Sequence, residues 1–195
     1  MIVAITGNIG SGKSTVSNLL KAFGYKVFNA DEIGKKVLLK GRKGYKRVLE
    51  AFGEKILTKD DEIDTRKLAS IVFSDKEKLD LLTSITHPLI LEEILDIKKK
   101  YKREIVFVEA AIAIEYGWEE IFDYVVLVFA YRGQRLLRAG KKFGLKEAIK
   151  RESFQLSYRE KIPYSHFMVC NTENLLHLKN QILDLVKYLE REIEK

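Results

Sequence analysis

The sequence predicts an α/β protein: a five-stranded parallel sheet flanked by helices, with a helical insertion and a basic helical cap. Three observations predict it. Five apolar runs of strand length are separated by stretches with helical spacing. A glycine-rich turn follows the first run directly. Residues 33–102 then carry a mostly helical pattern that interrupts the alternation, a place for a second substrate.

The elements follow in order. Residues 2–6 (IVAIT) form a short apolar run of the kind buried on both faces of a parallel sheet. Val16, Leu19, Leu20 and Phe23 make a helical stripe over 14–23, which Gly24 stops. Residues 26–29 read as the second strand, with Asp31 just beyond it. Within the insertion, Ser74 and Asp75 read as an N-terminal cap for a helix over 76–84. His87-Pro88 reads as the opening of a separate helix running to Lys100, with the proline in a first turn where its missing N–H costs nothing. Strands return at 105–109 and 124–130. Basic helices follow, then a last strand at 167–170 and an amphipathic helix over 175–194.

The 195 residues are 46% apolar, enough for one compact core with an appendage. No apolar run approaches the roughly 20 residues that span a bilayer. The N-terminus opens on a strand without a basic leader, so the expectation is a cytoplasmic protein with no membrane partner. The single cysteine, Cys170, rules out an internal disulfide and a cysteine-cluster metal site. The net charge is +7, and it is concentrated: residues 131–163 hold ten Lys/Arg against three acids, while the remainder balances to zero. That segment reads as a solvated charged face, a nucleic-acid surface, or a mobile cover that meets phosphates.

Gly7-Asn8-Ile9-Gly10-Ser11-Gly12-Lys13-Ser14 fits G-x-x-x-x-G-K-[ST], between a strand and a helix as the P-loop requires. Glycines let successive backbone N–H groups turn toward phosphate oxygens, and the following helix adds its positive end. Lys13 reaches the β and γ phosphates, and the Ser14 hydroxyl suits Mg²⁺. With Thr15, these residues make the candidate ATP site.

Asp31-Glu32-Ile33-Gly34 spells the D-x-x-G of a GTPase, but no N-K-x-D for guanine follows. Few aromatics interleave the basic helices, which disfavours nucleic acid as a partner. A small-molecule kinase remains, with Asp31 as the carboxylate that takes or orients the acceptor proton; capping the next helix is its alternative role. Arg135, Arg138 and Arg151 are the candidates for neutralising charge on the transferring group. Glu109 ends the third strand, near where a metal would sit, or else packs and caps there.

Several segments resemble the dephospho-coenzyme A kinase family: GNIGSGKST, NADEIG at 29–34, AFGEKIL at 51–57, IDTRKLASIVFSDKEKLDLLTSITHPLI at 63–90, VEAAIAIE at 108–115 and FMVCN at 167–171. The third and fourth are similar to its helical insertion, and the fourth is the most specific. The resemblance implies ATP-dependent phosphorylation of the ribose 3′-hydroxyl of dephospho-CoA. It implies Asp31 as base, Arg66, His87 and Glu109 in the acceptor region, and Asn171 beside the nucleotide. A P-loop kinase for another small acceptor, or a nucleic-acid-associated NTPase, is the alternative. The expected organisation is a nucleotide core (1–30, 104–130 and 164–195), an acceptor domain (31–103) and a lid (131–163). The chain departs from the family pattern at Asn29, Leu91, Glu109, Ala111 and His166.

Overall fold

A computed structural model describes residues 1–194. Five parallel strands make one sheet: β1 (Ile2–Thr6), β2 (Lys26–Asn29), β3 (Val106–Glu109), β4 (Tyr124–Phe129) and β5 (Phe167–Cys170), in the order β2-β3-β1-β4-β5. β1 lies at the centre, with Ile5 level with Glu109 on one side and Val126 on the other. All five β1 residues are buried, which is why that run carries no polar alternation.

The helices are α1 (Lys13–Ala22), α2 (Ala30–Val37), α3 (Lys43–Phe52), α4 (Thr65–Val72), α5 (Lys76–Lys100), α6 (Arg132–Phe143), α7 (Leu145–Glu152), α8 (Tyr158–Lys161) and α9 (Leu175–Ile193). The chain divides into two compact units, residues 1–29 with those from 98 onward, and residues 30–97.

In the first unit, Val16 and Leu20 of α1 and Leu178, Ile182 and Leu189 of α9 pack with Val3, Ile5, Phe107 and Val126 of the sheet. Each such side chain contributes roughly 1.5–3 kcal/mol through the area it removes from water. Asn174 caps α9 by accepting the His177 N–H. The edge strand is registered by His166, one of the departures noted above. Its backbone N–H donates to the Val125 carbonyl at 2.9 Å, and its Nδ1 accepts the Val125 N–H at 3.1 Å.

In the second unit, Val48, Phe52, Ile56, Leu68 and Val72 form a separate small core, against which Leu79, Leu82 and Ile85 of α5 pack. Asp64 caps α4 by accepting the N–H groups of Arg66 and Lys67, and Asp75 receives those of Glu77 and Lys78 before α5. One expectation is corrected here. Residues 76–100 are a single helix with Pro88 inside it, not two helices meeting at His87-Pro88. Pro88 deprives the Ser84 carbonyl of its i+4 donor. The apolar residues before it pack on the small core, and Leu89, Ile90 and Ile94 after it are buried too. Tertiary burial on both sides outweighs one lost hydrogen bond. Thr83 and Thr86 also return their hydroxyls to the Leu79 and Leu82 carbonyls within the same turns.

Candidate active site

The phosphate loop leaves the buried end of β1 and turns directly into α1. None of its three glycines has room for a side chain, Gly7 being held against the Val128 carbonyl. A Cβ on Gly10 (φ +74°) would lie 2.1 Å from the Arg135 carbonyl oxygen, and one on Gly12 (φ +97°) would lie 2.0 Å from Asn171 Nδ2. Helix α1 opens with no side-chain cap and no acid in its first turn, so its positive end faces the loop uncompensated. Lys13 Nζ donates to the Gly7 carbonyl at 2.8 Å and the Asn8 carbonyl at 3.3 Å. Its ammonium therefore lies across the loop it belongs to. A backbone nest, a helix N-terminus and a fixed cation together make an anion site.

Two further segments hold the loop. After β5, Asn171 Nδ2 donates to the Ser11 carbonyl at 2.8 Å, and Arg138 Nη2 donates to the Asn171 carbonyl at 3.1 Å. Arg138 Nη1 is buried without a hydrogen-bond partner. From the basic segment, Asn8 Nδ2 donates to the Leu156 carbonyl, the Ile9 N–H donates to Gln155 Oε1, and Arg135 Nη1 donates to the Ile9 carbonyl. Arg135 is 4% exposed and pairs with Glu152 at 2.8 Å. Burial pushes the Glu152 carboxyl upward, but hydrogen bonds from Arg132 and Arg135 hold it below the usual range.

Beneath this lies Lys161, fully buried and paired with Glu115 at 2.6 Å. Burial pushes the ammonium's pKa down, and the Glu115 carboxylate offsets part of that. Glu115 Oε1 also accepts the Leu156 N–H at 3.2 Å.

The sheet unit thus brings together the loop, Arg135, Arg138 and Asn171. Glu109, at the end of β3, accepts a hydrogen bond from Ser17 of α1 at 2.8 Å. Arg151, in the last turn of α7, is exposed and pairs with Glu147 of the same helix at 2.8 Å, so no contact among the described residues brings it to the loop. The remaining three candidates stand on three helices of the second unit. Asp31 is in the first turn of α2, Arg66 in the first turn of α4, and His87 in the middle of α5. Burial pushes the His87 imidazole down to about 4. That unit also holds a cavity of about 320 Å³ lined by Val37, Arg42, Lys43, Leu89, Glu92 and Glu93 among others; Asp31, Arg66 and His87 are not in its lining. The sequence does not single out Gln155, Glu152, Glu115 or Lys161 as site residues, because each meets its partners across 17 residues or more.

The Ser14 side chain is exposed in the first turn of α1, and a neutral hydroxyl oxygen suits a hard cation such as Mg²⁺. Among the described residues, no group of three or more His, Cys, Asp or Glu could hold a metal. A cation that takes its remaining ligands from phosphate oxygens and water fits this donor set.

A central strand ending in a glycine nest, a helix N-terminus beneath it and arginine-bearing helices around it define a P-loop phosphotransferase. The chain matches the family described as dephospho-CoA kinase over residues 1–177. It is 34% identical to the dephospho-CoA kinase of Carboxydothermus hydrogenoformans over an alignment 194 positions long that covers 95% of this chain and 93% of the relative. A crystal structure of a Thermus thermophilus protein superposes with a TM-score of 0.81 at 30% identity, covering 97% of each chain. The dephospho-CoA kinase from Campylobacter jejuni superposes at 0.74 with 26% identity, covering 98% of each. This chain belongs to the dephospho-CoA kinase family.

Proposed function

We propose that this protein transfers the terminal phosphoryl group of ATP to the ribose 3′-hydroxyl of dephospho-CoA, giving CoA and ADP. The observation that carries the reading is the glycine nest with Lys13 across it, in a chain that matches this family over residues 1–177. Residues Gly7, Asn8, Ile9, Gly10, Ser11, Gly12, Lys13, Ser14 and Thr15 form the loop around the triphosphate, with Asn171 beside them. Mg²⁺, when bound through Ser14, supplies positive charge to the phosphate oxygens. We assign residues 31–103 to the acceptor and 131–163 to a lid.

Asp31 accepts the proton of the 3′-hydroxyl as that oxygen bonds to the γ-phosphorus and the bond to the ADP oxygen breaks. Arg66 and His87 bind the acceptor on the helical unit, and Glu109 holds α1 at the end of β3. Arg138, with one buried unpartnered nitrogen, is the lid arginine we assign to the transferring group. Both substrates are small polyanions, which suits the excess positive charge over residues 131–163. We place this chemistry in the cytoplasm, with neither nucleic acid nor membrane as partner. Among the described residues, no helix is long and apolar enough to cross a membrane.

A coupled assay of ADP release tests the reading. Release that requires dephospho-CoA, with CoA as product, is the expected result. Turnover with nucleosides or small acids instead, or hydrolysis stimulated by DNA or RNA, would reject it.

A further inference from the structure

The two polar groups of Ile9, at the tip of the phosphate loop, are both taken by the basic segment. Its N–H donates to Gln155 Oε1 at 2.7 Å, and its carbonyl accepts from Arg135 Nη1 at 3.3 Å. The neighbouring Asn8 donates to the Leu156 carbonyl at 3.0 Å, and Gly10 lies directly against the Arg135 backbone. Both clamps are themselves fixed. Arg135 gives its other terminal nitrogen to Glu152, and its guanidinium lies 5.3 Å from the centre of the Tyr158 ring. The Tyr158 hydroxyl is tied to the Val128 carbonyl and the Ala130 N–H of the sheet. The strap that carries Gln155 is pinned through Leu156 to Glu115, the partner of Lys161.

We propose that Arg135 and Gln155 are positioning residues that hold the phosphate loop in its binding shape before nucleotide arrives, and that Arg135 does not meet the transferring phosphoryl group. This rests on the reading of the loop as the ATP site. A guanidinium with one nitrogen on a backbone carbonyl, another on a carboxylate and a ring beside it is geometrically committed. At 4% exposure it has only Nε left without a partner. The loop needs such support because its glycines are free to leave the positive-φ conformations that form the nest.

Hydrogen exchange at the Ile9 amide, followed by NMR on the nucleotide-free whole chain, reads the clamp directly. Gln155→Met keeps the length of the side chain and removes the acceptor, so Ile9 exchange should accelerate by about tenfold or more. Unchanged exchange would overturn the clamp. In steady-state kinetics, Gln155→Met and Arg135→Met should each raise KM for ATP by roughly tenfold, with kcat within about threefold and KM for dephospho-CoA unchanged. Arg135→Lys should recover part of the loss, because it retains a donor and the charge facing Glu152. The Arg135→Met/Gln155→Met double variant should be little worse than the poorer single, since both act through Ile9.

A fall in kcat of about 100-fold or more in Arg135→Met, at unchanged KM for ATP, would make Arg135 a transition-state residue and overturn the proposal. Should Arg135→Met not fold with Glu152 left to the exposed Arg132 alone, Gln155→Met decides the matter alone. Failure of the unaltered protein to phosphorylate dephospho-CoA would reject the proposed function while leaving the exchange result to judge the clamp.

Discussion

The Asn171 carboxamide occupies the space that a side chain on Gly12 would need. Its Nδ2 would stand 2.0 Å from a Cβ there, and the same nitrogen donates to the Ser11 carbonyl. Gly12 is thus constrained by its φ of +97° and again by its neighbour. Gly12→Ala should weaken ATP binding by roughly 100-fold, the scale of about 3 kcal/mol for backbone strain with a clash. Gly133→Ala, on an open face of α6, should leave binding unchanged and is the matched control. Calorimetric titration with ATP compares the two.

Asp31→Ala should leave ATP affinity nearly intact while kcat falls by about 10²–10⁴-fold, the range for losing a general base. Full activity in that variant, measured at saturating ATP and dephospho-CoA, would remove Asp31 from the chemistry.

The buried Lys161–Glu115 pair predicts a non-additive pattern. Lys161→Met alone leaves the Glu115 carboxylate buried without its cation, a change that costs on the order of 3–5 kcal/mol. Adding Glu115→Gln, which keeps an oxygen for the Leu156 N–H, should recover about 1–3 kcal/mol of that. Urea unfolding of both variants measures the difference.

His87 predicts a pH dependence of stability. Its folded pKa is pushed down to about 4 from a usual value of 6.5, so between these limits the unfolded chain binds more protons. Stability from this group is therefore present above pH 6.5 and lost as pH falls toward 4. The group is partly exposed, so we expect on the order of 1–2 kcal/mol, well below the full linkage figure. Denaturant curves from pH 4 to 7 should be flatter in His87→Gln by that amount.

Pro88→Ala should restore the backbone bond to the Ser84 carbonyl within α5. Because Pro88 is exposed and the helix already continues through it, the chain should gain roughly 1–3 kcal/mol in stability. A thermal melt that moves downward would show that the proline fits its place better than an alanine.

The strands and the phosphate loop were legible because their signals are local. A strand buried on both faces has no polar alternation, and a nest needs glycines at fixed offsets. The α5 boundary was misread because Pro88 is a local breaker, whereas the burial of Leu82, Ile85, Leu89 and Ile90 that carries the helix past it is a tertiary fact. The His166 departure illustrates the same limit. The role of its Nδ1, accepting the Val125 N–H, appears only once two strands lie side by side. Gln155, which reaches Ile9 across 146 residues, and Glu115, which reaches Leu156 across 41, have nothing in their own neighbourhoods to mark them.

Ser11 and Asn171 are joined across 160 residues, and this bears on how the protein is made. Residues 7–15 spell the proposed nucleotide site, yet its far wall arrives only after β5 has left the ribosome. During synthesis, at about 5–20 residues per second, the growing polypeptide lacks that wall until residue 171 has been added. ATP in the surrounding fluid should therefore do little to guide early folding, and should act as a stabilising ligand only once β5 and Asn171 have emerged.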